Sequence, residues 1–319
     1  MQKPVNPRRG VGGGRSKPRS VMATFSEVLM GHDTFRCGDL EAVIGDNAAD
    51  GSHRAGYNGI WSLKHATAKR SPFVPSVAGL NHEHIFDGAT NGRQEIFFEP
   101  RYAPMEFERT GPHEALLHQP PTPTFHVESW TRFRLREPHY IDFEFRCIPR
   151  QHAFRFDYIG LFWASYIHAP EDKSVYFRGA VGQGNPSWMQ LCTQRHDDES
   201  TVLHSKDDVE LKFDPAYRDC LFKNFSPMRY DLPFYYGLFD EHLWLVMFDR
   251  TDGIRFAHSP SGGGFDSDRQ STNPAWDFQF IIPKYDVNRE YGFRLRAAYR
   301  PRCSREEVLA EYHRWRQEV

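Results

Sequence analysis

The sequence lacks any apolar run near the roughly 20 residues that span a bilayer, and it does not open on the charged, apolar and small segments of an export signal. Neither a membrane span nor secretion is expected, and a cytoplasmic location is. Charge of one sign is also missing, since 40 Lys and Arg stand against 42 Asp and Glu in 319 residues. No global field draws such a chain to nucleic acid or to an anionic membrane, so neither is an expected partner. The five cysteines, Cys37, Cys147, Cys192, Cys220 and Cys303, are scattered and form no C-x-x-C pair. That excludes the usual zinc and redox spacings and leaves reduced thiols. A G-x-S-x-G elbow and an H-E-x-x-H helix motif are absent, and "SPSGGG" at 259–264 lacks the Lys and Ser or Thr of a phosphate loop.

What the chain has in quantity is aromatic residues, with 26 Phe, 14 Tyr and 7 Trp. Such side chains favour strands. In "IDFEFRC" the apolar Ile141, Phe143, Phe145 and Cys147 alternate with Asp142, Glu144 and Arg146, the period of a strand with one face on a core. "VELKF" at 209–213, "DFQFII" at 277–282 and "YGFRLRAAY" at 291–299 repeat the alternation, while "FDYIGLFWASYI" and "HLWLVMFD" are apolar on both faces and predict strands between layers. Arg132, Arg134 and Arg136 alternate as well, either as an anion-binding face or, more simply, as a solvated outer face.

Residues 1–21 are basic and rich in Gly and Pro and predict a disordered leader. Thr24 and Glu27 form a capping-box pattern for a short N-terminal helix, and Ser304 with Glu307 does the same for a C-terminal helix over 304–317. Residues 22–319 show no shift of composition that marks a boundary. The expected fold is all-β: one large antiparallel β-sandwich domain with a short N-terminal and one C-terminal helix.

The densest chemistry is "GLNHEHIFDG" at 79–88. In a regular strand His82 and His84 share a face, and two imidazoles together could hold a divalent metal if a third donor came from elsewhere. In a turn, Glu83, His84 and Asp87 could converge instead, a set suited to proton transfer near neutral pH. The plainest alternative is that these groups only cap backbone amides. Other polar and aromatic knots add to the cluster: Tyr57 and Asn58 in "AGYNGIWS", Arg101 in "FEPRYAPM", Glu128 in "FHVESW", and Trp276 with Asp277 in "NPAWDF". His196 in "QRHDDEST" is a further candidate proton carrier, although such a loop histidine is more simply solvated.

Flat aromatic faces with carboxylates, amides and guanidinium groups are the inventory from which a sugar site is drawn. The succession of aromatic-rich strands, the "WDFQF…YGFRLRAAYRP" ending and the His/Glu cluster resemble the galactose mutarotase-like super-sandwich of sugar epimerases and of several polysaccharide lyases and hydrolases. The resemblance implies a carbohydrate or sugar-derived partner and no required cofactor.

The expectation is therefore a carbohydrate-active enzyme that cleaves a glycosidic bond by acid/base chemistry. Glu83, His84, Asp87, Glu128 and His196 are its candidate catalytic groups, and Tyr57, Asn58, Arg101, Trp276 and Asp277 its candidate sugar contacts. A mutarotase or epimerase and a non-catalytic carbohydrate-binding protein are the alternatives.

Overall fold

The computed structural model describes residues 31–195, 198–217, 220–268 and 270–319. The expected leader, the helix after Thr24 and His196 lie outside the described residues. Strands β1 (His32–Cys37), β2 (Leu40–Gly45) and β3 (Gly59–His65) make a small antiparallel sheet. Next come β4 (Asn81–Phe86), the helical turns α1 (Gln94–Phe97) and α2 (Glu99–Tyr102), and the meander β5 (Glu106–Gly111), β6 (Glu114–Gln119), β7 (Val127–Arg136) and β8 (Tyr140–Pro149). The chain continues through β9 (Ile159–Ala164), β10 (Val175–Val181), β11 (Ser187–Leu191), β12 (Thr201–His204) and β13 (Phe225–Tyr230). It ends with β14 (Phe234–Phe239), β15 (His242–Phe248), β16 (Ile254–Ser259), β17 (Ala275–Ile282), β18 (Tyr291–Pro301) and α3 (Arg305–Arg316).

Strands β4 to β18 join one sheet in the order β4-β9-β17-β16-β12-β13-β10-β14-β15-β18-β8-β7-β6-β5, with β11 beside β10. The pairings are antiparallel except β12 with β13. The sheet folds over so that its two halves face each other, because each half carries a row of large rings that water rejects. His82, Trp163, Phe278 and Phe256 lie in register across β4, β9, β17 and β16. Trp163 meets Phe145 of β8 and Phe293 of β18 from the other half, with ring centroids 4.7 and 5.2 Å away. Phe278 meets Phe248 of β15 at 4.9 Å.

The alternation of β8 is realised residue by residue, Ile141, Phe143, Phe145 and Cys147 being buried. Two strand expectations change. The segment 209–213 keeps its alternating exposure but pairs with no strand among the described residues; the Val209 carbonyl accepts from Arg255 and the Lys212 carbonyl from the Tyr158 hydroxyl, so side chains rather than a ladder satisfy these two carbonyls. In β17 both faces are buried, Trp276 and Phe278 in the main core and Asp277 and Gln279 on the opposite side. Periodicity separates those faces but does not say that the polar one is covered.

Arg132 and Arg134 pair with Glu114, and Arg136 and Arg296 with Asp142, so each of these guanidinium groups has a carboxylate partner within the outer face. The C-terminal helix forms as expected. Its capping box is complete at Ser304, and Val308, Tyr312 and Trp315 pack on Phe234, Leu243 and Leu245.

Candidate functional site

Strand β4 is an edge strand that among the described residues pairs only with β9, and its pairing slips by one residue. His82 lies opposite Trp163 and His84 opposite Phe162, so Glu83 is the extra residue of a β-bulge. The slip cancels the alternation of a regular strand. His82 points into the main core, stacked on Trp163 at 4.8 Å, while Glu83 and His84 both reach the other face.

Asn58 holds the slipped backbone in place. Its amide donates to the His82 carbonyl at 2.9 Å and its oxygen accepts from the His82 N–H at 3.0 Å. Its own N–H donates to the Asn81 side chain at 3.1 Å.

Glu83 and His84 face a hollow of about 140 Å³. Phe97, Phe98, Phe162, Leu221 and Phe222 wall it, and Tyr166 and Asp277 complete its polar side. The Glu83 Oε1 accepts from Arg101 Nη1 at 3.1 Å and from the Tyr166 hydroxyl. Arg101 is itself fixed by the Gly56 carbonyl at 2.7 Å and lies 4.0 Å over the Tyr57 ring. His84 Nδ1 lies 2.6 Å from the Phe97 carbonyl, and because a carbonyl only accepts, Nδ1 carries the proton. The other nitrogen, Nε2, then points to Glu83 Oε2 at 3.5 Å.

Asp277 sits across the hollow on β17 and accepts the Ser165 N–H at 3.1 Å. Burial, with the Glu83 charge adding to it, outweighs that bond and holds the Asp277 carboxyl well above its ordinary pKa. Burial and then the Glu83 charge likewise push the Tyr166 phenol well above its usual value, so it stays a donor. The hollow therefore joins a buried carboxyl whose proton is held more tightly than usual, the His84 ring, and the Glu83 carboxyl held by a guanidinium and a phenol.

The other candidates lie elsewhere or act indirectly. Asp87 accepts the N–H groups of Ala89 and Arg155 and organises the loop after β4, as the plainest reading of that stretch has it. Glu128 is bound by Arg150 and His118 on β7 and does not line the hollow. Trp276 cannot serve as a sugar platform, because it is one residue out of phase with Asp277 and is buried in the core, its indole donating to the Lys173 carbonyl. Tyr57 supports Arg101 and meets Tyr166 edge-on, and Asn58 braces the bulge.

The pairing of His82 with His84 as metal ligands fails because the bulge turns them to opposite faces. Burial lowers the His82 pKa to about 3. Tyr166 was not anticipated. It stands next to last in the run 156–167, whose apolar character predicts only a strand between layers, and its hydroxyl beside Ser165 was the available signal.

No family model matches the sequence, and no curated protein matches it. Solved structures are similar in fold. The aldose epimerase homologue from C. elegans aligns with a TM-score of 0.50 at 8% identity, covering 85% of this chain and 99% of that one. The galactose mutarotase related enzyme from Lactobacillus acidophilus gives 0.48 at 11%, covering 85% and 100%. A heparan sulfate lyase from Pedobacter heparinus gives 0.40 at 10%, covering 83% of this chain and 34% of the lyase. The first of these shows that the chain has the galactose mutarotase-like sandwich fold.

Proposed function

We propose that the protein is an enzyme that opens and recloses the ring of a single sugar in the hollow between β4 and β17. The observation that carries the reading is the grouping of a buried Asp277, its pKa raised by that burial, with His84 and Glu83 in one small cavity. Ring opening needs a base at the anomeric hydroxyl and an acid at the ring oxygen, acting together.

His84 Nε2 takes the hydroxyl proton, and Asp277 gives its proton to the ring oxygen as the bond from that oxygen to the anomeric carbon breaks. The products are the open aldehyde, an imidazolium and a carboxylate. Glu83, 3.5 Å from Nε2, stabilises the imidazolium, and Arg101 and Tyr166 hold Glu83 in place. Rotation of the aldehyde and the reverse transfers close the ring with the other anomeric configuration and restore both groups.

Cleavage of a glycosidic bond is less well supported by the space available. Ligand clefts usually measure about 300–1,000 Å³, and a cavity of about 140 Å³ suits one ring rather than two linked ones. A binding protein has no need of an acid and a base facing each other.

The experiment is polarimetry on freshly dissolved aldoses, each a single anomer, with the wild type, His84→Ala and Asp277→Asn. Equilibration of at least one aldose faster than in buffer, lost in both variants, is expected. Failure on the whole panel, with release of sugar from an oligosaccharide instead, would return the reading to glycosidic cleavage.

A further inference from the structure

We propose that Asp39, His65 and His139 form a binding site for a divalent first-row transition ion, zinc above all, outside the hollow. The inference does not depend on the sugar reading. Asp39 lies in the β1–β2 turn, His65 ends β3, and His139 lies in the turn from β7 to β8. Each side chain offers one ligand atom such that all three lie within 4.8 Å of one another.

His65 Nε2 and Asp39 Oδ2 are 3.6 Å apart. Zinc bonds of about 2.0–2.2 Å at tetrahedral angles place neighbouring ligand atoms roughly 3.4 Å apart. One edge of the site therefore nearly fits already, and the rest needs a side-chain shift on the order of 1 Å.

The backbone brings the three turns together without an ion. The Asp39 N–H donates to the Pro138 carbonyl at 2.7 Å, and the Asp39 carbonyl accepts from the Ala66 N–H at 2.8 Å. The Nε2 atoms of His65 and His139 are both buried and have no hydrogen-bond partner among the described residues. Leaving buried polar atoms unsatisfied is costly, and a cation between them would remove that cost.

Burial lowers the pKa of both rings, that of His139 to about 4. Arg300 is the opposing charge near His139, and its ion pair with Glu311 at 2.5 Å offsets it.

Beyond the ligands, His65 Nδ1 lies 2.9 Å from Thr67 Oγ1, which lies 2.9 Å from His242 Nε2. With Nδ1 donating to the hydroxyl and the hydroxyl donating onward, the Nε2 lone pair faces Asp39, the arrangement that orients a metal-binding histidine. The Thr67 N–H, 3.2 Å from the same Nδ1, competes for it, so ion binding selects between the two tautomers. Two imidazoles and one carboxylate suit zinc, cobalt or ferrous iron rather than the all-oxygen preference of magnesium and calcium. Asp39 is partly exposed and gives the ion a way in, and a fourth position is left for water. A bound ion would tie the small sheet to the main one.

The test uses the full chain, stripped with a chelator and titrated with Zn²⁺ by calorimetry, with thermal unfolding in parallel and Co²⁺ as a spectroscopic probe. Expected are one-to-one binding, a raised Tm, and the visible d–d absorption of four-coordinate Co²⁺. Asp39→Asn and His139→Gln should lose the absorption, and Thr67→Val should weaken Zn²⁺ binding about 10–100-fold. The exposed position of Asp39 makes D39N a variant that folds, and His84→Ala should bind Zn²⁺ as the wild type does. No binding, or binding unchanged in D39N and H139Q, overturns the site, and so does loss of binding in H84A alone.

Discussion

Replacing Asp277 by Asn keeps the shape of the side chain and an oxygen for the Ser165 N–H, but removes the transferable proton. If that proton drives ring opening, turnover should fall by about 10²–10⁴-fold, or roughly 3–5 kcal/mol of barrier. A second consequence needs no substrate. The Asp277 carboxyl is held well above its ordinary pKa by burial, with the Glu83 charge in addition.

A raised folded pKa means that the native state keeps a proton which the unfolded chain releases from about pH 3.9 upward. The stabilisation from this group is complete below that pH and is lost as pH rises toward the folded value, at about 1.4 kcal/mol per pH unit. The Asn variant has no such proton. Its stability should therefore gain on the wild type, by up to about that slope, in the window where pH rises from about 4 toward the folded value. Urea unfolding at three pH values in this window measures it. Parallel curves for the two proteins would mean that Asp277 titrates alike folded and unfolded, and its role as the acid would fall with that result.

The remaining predictions concern the bulge, the base and the helix. His84→Ala should cost turnover about 10²–10⁴-fold while Tm stays close to wild type, whereas Glu128→Gln, outside the hollow, should leave turnover unchanged. Asn58→Ala removes the two side-chain hydrogen bonds and leaves the His82 N–H and carbonyl buried and unpaired; a loss of about 1–3 kcal/mol in urea unfolding is expected, together with reduced turnover as Glu83 and His84 lose their register. Trp315→Ala should cost about 3–5 kcal/mol through the cavity left under α3, with kcat retained by the folded fraction.

Much of the scaffold was legible because its signals are local. The alternation in β8 and the capping box at Ser304 depend on a few neighbouring residues and say what they do without reference to the rest of the chain. The site was legible in composition more than in geometry. Glu83, His84, Arg101 and Asp277 were all singled out, yet His82 was given the wrong face because a bulge is a property of two strands, and the β9 register is not written within β4. Trp276 and Asp277 were read as a pair of contacts, although neighbours in a strand must part, one into the core and one into the hollow. The segment 209–213 shows the converse limit, since a period of two records which side chains face inward but not whether a ladder partner exists. The grouping of Asp39 with His65 and His139 was invisible for the same reason: three turns meet only after the sheet has folded.

Strand β17 carries rings packed in the interior on one side and the acid on the other. The acid's aim is thus inherited from the stiffness of the aromatic stack beneath it. Trimming Phe278 or Trp163, far from any substrate, should blunt turnover in protein that still unfolds cooperatively, so impaired function would give notice of a loosened interior before collapse does.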